Sequence, residues 1–134
     1  MAKTTAVFQP KGFNFAGYGL ANSDGTSAVD VFTAGANDST VKAIALASND
    51  TSARDIDLVL YDGVNSFTIG TVSLGAYSSG ALIVGDGLSA SWFPLDRVSK
   101  KVLPLKAGTV LRAKAQAAVT SGKTISISVI SEDY

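Results

Sequence analysis

Apolar residues along this chain recur at every second position in short runs, and each run stops at Gly, Asn, Asp or Ser. A period of two is the pleat of a half-buried strand, so the chain is held to β-structure before anything else is known of it. Arg54 to Tyr61 places Ile56, Leu58 and Leu60 on one face and Asp55 and Asp57 on the other. Asp62-Gly63 follows, and then a second run over 64–74. An Asp-Gly pair between two such runs predicts a hairpin with a type I′ turn, which needs two residues at positive φ. The apolar phase shifts between Ile69 and Val72 with Gly70 inside the shift, which predicts a bulge.

The other runs follow the same logic. Val29 to Thr33 is short and rich in β-branched residues. Val41 to Ser48 carries Ile44 and Leu46 on one face and Val41, Ala43, Ala45 and Ala47 on the other, a pattern that suits burial on both faces. The turn cluster 34–39 joins the two. Leu111, Ala113, Ala115 and Ala117 alternate with Arg112, Lys114 and Gln116, and Ile125, Ile127 and Val129 alternate with Thr124, Ser126 and Ser128. By intrinsic propensity 111–118 would also make a helix. Its alternation, its shortness and the Ser121-Gly122 turn after it favour a strand, and with 124–129 a closing hairpin. Two regions are irregular. Residues 86–108 hold two prolines, Trp92 and Phe93, and residues 8–25 mix Gly with Phe8, Phe13, Phe15 and Tyr18. Pro10 cannot donate to a ladder, so 1–26 reads as an N-terminal arm with a first edge strand. Residues 27–134 then form one domain, an antiparallel β-sandwich or jelly roll of about eight strands.

Composition removes most chemistry. The 134 residues suit one domain, and 46% apolar against 16% charged content argues for a packed core. Eleven basic and eleven acidic residues cancel, so no broad field draws the chain to nucleic acid or to an anionic membrane. The chain has no cysteine and no histidine, which excludes disulfides, thiolate metal sites and the commonest general base. No apolar leader and no run long enough to cross a bilayer is evident, which reads as a soluble protein made in a cytoplasm.

The remaining motifs are mostly turns. Ser121-Gly122-Lys123-Thr124 resembles the end of a phosphate loop, but such a loop needs glycine at 117, where Ala117 stands, and a helix after the lysine. Asp55 and Asp57 could be a hydrolytic carboxylate pair, yet the exposed face of any half-buried strand has that spacing. Glu132, beside the C-terminal residues, is a poor catalytic candidate. The Asx-rich segments 21–27 and 85–87 lack the full ligand alternation of a calcium loop. Asn37-Asp38-Ser39 and Asn49-Asp50-Thr51 fit glycosylation acceptors but read as turns. Phe8, Phe13, Phe15, Tyr18, Trp92 and Phe93 are candidate contact residues, for subunits or for a larger assembly, with Trp92 also suited to stack on a sugar. No catalytic, cofactor-binding or metal-binding residue is assigned, and the chain reads as a non-enzyme that needs no cofactor.

Residues 31–74 followed by 103–134 also resemble a group of small tailed-phage head proteins. The shared elements are Phe32-Thr33-Ala34-Gly35-Ala36-Asn37, the Asp62-Gly63 hairpin, Leu105-Lys106-Ala107-Gly108, Gly122-Lys123 and the terminal Asp133-Tyr134. The resemblance implies a jelly-roll capsid decoration, or cement, protein on the outside of the virion head. Its expected partners are the major capsid protein and further copies of itself, as a homodimer or homotrimer. A receptor- or glycan-binding sandwich, such as a head fibre, is the alternative.

Overall fold

The structure is a computed structural model that describes residues 12–77, 81–83 and 102–134. These residues form nine strands: β1 (Gly12–Leu20), β2 (Val29–Thr33), β3 (Ser39–Ser48), β4 (Arg54–Tyr61), β5 (Ser66–Leu74), β6 (Ala81–Ile83), β7 (Leu103–Leu105), β8 (Val110–Ala115) and β9 (Ile125–Asp133). One single-turn 3₁₀ helix, Asn22–Asp24, joins β1 to β2. Two antiparallel sheets result. The first runs β1-β9-β3-β6, with β7 also on β3, and the second runs β2-β8-β4-β5.

The pairings have a simple origin. β4 pairs with β5, β3 with β6 and β7, β2 with β8, and β1 with β9. The chain is therefore one long antiparallel hairpin whose tip is the β4–β5 turn. Rolling that hairpin brings β9 against β3 and β8 against β4, which closes the two sheets of a jelly roll.

The core lies between the sheets. Leu20, Ile44, Leu46, Ile125, Ile127 and Val129 from the first sheet meet Phe32, Ile56, Leu58, Leu111, Ala113 and Ala115 from the second. Each is less than 4% exposed, so the apolar period-two faces are buried as expected except at their ends, where Leu60 is half-buried and Ala117 is exposed. Burying a side chain of the Val, Leu, Ile or Phe class contributes about 1.5–3 kcal/mol. Bulges adjust which residues reach this core. Between Asp30 and Phe32 the β2 register slips by one residue, so Val31 and Phe32 are both buried. A slip between Val41 and Ala43 returns Val41 to the core face, while Ala43, Ala45 and Ala47 stay half-buried on the outer one.

Of four details of the sequence reading, two hold in the structure and two are corrected. The bulge expected near Gly70 is present: Leu58 pairs with Gly70 and Val59 with Thr68, leaving Ile69 as the extra residue. The strand reading of 111–118 holds for Val110–Ala115. The closing hairpin is corrected. The Ser121-Gly122 turn exists, with Gly122 at φ 80° and the Lys123 amide donating to the Thr120 carbonyl, but β8 and β9 lie in different sheets. The turn carries the chain across the sandwich. The Asp62-Gly63 turn is also corrected. Tyr61 pairs with Ser66 across a four-residue loop, and only Gly63 has positive φ. The Asp62 carboxylate accepts from the amides of Val64 and Asn65, so an Asx turn replaces the two-residue turn.

Candidate interaction surface

The outer faces of the two sheets differ in kind. On the second sheet the outward positions include Asp30, Arg112, Lys114, Asp57, Asp55 and Thr71, a polar ladder. Arg112 donates to Asp30 at 2.6 Å and lies 3.8 Å over the Tyr61 ring. Asp57 accepts from the Thr71 hydroxyl at 2.7 Å and from the Gln116 amide at 2.9 Å. These bonds, with nearby Lys114, hold its carboxyl below the ordinary carboxylate range. Partners that favour the charged form suit a structural surface carboxylate, whereas a general acid needs its pKa raised.

On the first sheet the outward rows are Phe15-Ile130-Ala43, Gly17-Ser128-Ala45 and Gly19-Ser126-Ala47. No charged side chain stands in them. Phe13 begins the next row, opposite Glu132, and Lys42 bridges to Glu132 at 3.8 Å. Phe13 is 76% exposed, Phe15 69% and Ile130 41%. Two open phenyl rings beside a plain of Gly, Ala and Ser form an apolar surface of the sort that marks interaction sites. The glycines are also needed within the chain: a Cβ on Gly17 would sit 2.9 Å from the Ile127 carbonyl oxygen.

Of the candidate contact residues, the strand brings Phe13 and Phe15 together and turns Tyr18 to the opposite face, against the core. The Tyr18 hydroxyl donates to the Asp24 carboxylate at 2.8 Å, and that bond, more than its partial burial or the charge of Asp24, raises the phenol pKa. The other Asp24 oxygen accepts from the Ala21 amide, so this Asx-rich segment uses its carboxylate to hold the turn. Phe8, Trp92, Phe93 and the segment 85–87 lie outside the described residues.

Three of the motifs that carried the phage resemblance, 32–37, 105–108 and 133–134, converge at one end of the sandwich, whereas Gly122-Lys123 stands at the other, beside Asn49. The Ala34 amide donates to the Thr109 carbonyl at 2.9 Å and the Ala107 amide to the Asp38 carboxylate at 2.7 Å. Ser39 accepts from the Gly35 amide and donates to Asp133 at 2.6 Å, and the Thr40 and Tyr134 hydroxyls meet at 3.0 Å. Asn14 of β1 donates to the second Asp133 oxygen at 3.1 Å. Segments distant in sequence thus form one polar knot, to which Asn14 ties β1. A cleft of about 450 Å³ opens beside it, between Asn37–Thr40 and Pro104–Lys106.

At the other end a group that sequence reasoning read only as a turn proves central. Asp50 is fully buried. Its carboxylate accepts from the Thr120 hydroxyl and amide, the Ser52 amide and the Arg54 guanidinium, all between 2.7 and 3.0 Å. The Thr120 hydroxyl bond is the largest cause of a pKa well below the usual carboxylate range. This clip ties the β3–β4 turn to the β8–β9 crossover. The Asn-Asp-Thr spacing signals an Asx turn, but nothing local to it points to Thr120.

No family model and no curated protein matches the sequence. Among solved structures, this chain is similar to a chain of the "acidic stable capsid structure" of Helicobacter pylori bacteriophage KHP30, with a TM-score of 0.53 and 12% identity. The match covers 92% of this chain and 90% of that one, so the two share a fold over nearly their whole lengths.

Proposed function

We propose that this chain is a structural virion protein that binds the outside of a phage head and stabilises its lattice, as a decoration or cement protein. The observation that carries the reading is the likeness, over nearly the whole length of both chains, to a chain of a phage capsid structure. The asymmetry of the two sheets supports it. One outer face is a charged, internally paired ladder suited to water, and the other is flat, uncharged along its centre and aromatic at its edge. Cement action needs contact area across subunit boundaries and no catalytic group. Each bound copy adds binding free energy that is lost when the shell opens. On this reading the major capsid protein is the partner, and the head exterior is the location.

The test is to incubate purified protein with heads lacking decoration, both expanded and unexpanded, and to sediment them. Saturable co-sedimentation at a fixed ratio to the capsid subunit is expected for at least one form. Failure to bind either form would refute the proposal.

A further inference from the structure

β1 is an edge strand, and among the described residues it pairs only with β9. Natural sheet edges are blunted by Lys, Pro, a bulge or an inward charge, because a long bare edge invites another strand. β1 has none of these. Its nine residues, GFNFAGYGL, contain no charge and no proline, and its register with β9 is unbroken. Such an edge is built to be covered.

The residues of β1 specify what covers it. For two strands to continue one sheet with faces matched, outward residues must pair with outward residues, so paired residue numbers must sum to an even number. Of the antiparallel self-pairings that satisfy this, one engages all nine residues: Gly12 opposite Leu20, with Ala16 opposite itself. That same register sets Phe13 opposite Gly19 and Phe15 opposite Gly17. Every outward ring meets a glycine, the cross-strand pairing in which an aromatic covers the backbone that glycine leaves bare. The other face-matched registers are shorter, and they set ring against ring or glycine against glycine. We propose that β1 pairs with β1 of a second copy of this chain, antiparallel across a two-fold axis at Ala16, so that Phe13 and Phe15 of each copy cover Gly19 and Gly17 of the other.

Charge and area agree with this occupant. An uncharged strand brings no like charges together when paired with itself. Four phenyl rings, with Phe13 76% and Phe15 69% exposed, carry roughly 400–700 Å² of open surface at 150–250 Å² per aromatic side chain. Two nine-residue backbones add to that, toward the ~1,000 Å² of a biological interface. The pairing is β-augmentation between copies, giving one sheet continuous through the dimer. It stands independently of what the dimer binds.

The chain lacks cysteine, so any disulfide must come from introduced residues. Directly opposed strand residues have Cα atoms about 4.5–5.5 Å apart, within disulfide range. A mixture of Phe13→Cys and Gly19→Cys proteins is expected to form a heterodimeric disulfide under mild oxidation, and each variant alone is not. A Cβ at Gly19 meets only the Thr124 methyl, at 3.1 Å, which a side-chain rotation relieves. In sedimentation equilibrium the full chain is expected to be a dimer, and Phe15→Lys, at an exposed position, to weaken it at least about tenfold. Circular dichroism of Phe15→Lys should match wild type. A monomer at about 100 µM, single variants that cross-link as well as the mixture, or a dimer indifferent to Phe15→Lys would each overturn the proposal.

Discussion

Two polar residues with opposite fates set the stability of this fold. Asp50 is buried and fully bonded, and removing one partner of such a network leaves the others unpaired, which is the costly direction. Asp50→Asn should lower Tm by roughly 10 °C at neutral pH. The pH dependence follows from the same bonds. The folded carboxyl titrates below its unfolded value of about 3.9, so its contribution is whole above that value and is lost as pH falls toward the folded one. Asp57 and Asp62 shift the same way. Melting curves from pH 7 down to about pH 2 should therefore show stability falling below about pH 4, with a shallower fall in Asp50→Asn. Ser131 is the converse. Its hydroxyl is buried on the core face of β9 and finds no partner among the described residues. An unsatisfied hydroxyl costs about 1–3 kcal/mol, so Ser131→Ala should be neutral or stabilising in urea unfolding. A marked loss would mean that the hydroxyl has a partner.

At the scale of elements, strands were legible and their partners were not. The period-two faces of β4, β8 and β9 are set by residues two apart, and all lie where the alternation put them. The Gly70 bulge was legible because an extra residue shifts the apolar phase locally. The β8–β9 connection was misread because a Ser-Gly turn between two alternating runs looks the same whether the chain returns to its own sheet or crosses to the other. The Asp62-Gly63 loop was misread because Asp62 could serve as a side-chain acceptor as readily as take positive φ. The helix-prone 111–118 segment became a strand because Ala113 and Ala115 are fully buried between the sheets, where small side chains let the layers meet. Ala113→Leu should overpack that layer and cost about 1–3 kcal/mol by urea unfolding, while the same change at exposed Ala117 should cost much less.

For the whole molecule, rolling one hairpin yields two unlike outer faces, and the unlikeness is what function can use. The candidate site was half legible. Phe13 and Phe15 stand out in the sequence, but their separation from Tyr18 and their alignment with Ile130 and the Ala and Ser rows exist only once β9 and β3 lie beside β1. The turn motifs were legible one by one, and the meeting of 34–40 with 107–109 and 133–134 at one end was not, because it depends on the roll. If the apolar face serves the shell, Phe13→Ala with Phe15→Ala should reduce head binding at least about tenfold while the circular dichroism spectrum stays that of wild type, since rings exposed in the single chain contribute little to its fold. If bound copies hold a head closed, calorimetry of undecorated heads with and without saturating protein will register it. The opening transition should move to higher temperature as the chain binds, and the shift should saturate with occupancy. A transition that stays in place on heads shown to be fully bound would rule out a cement role.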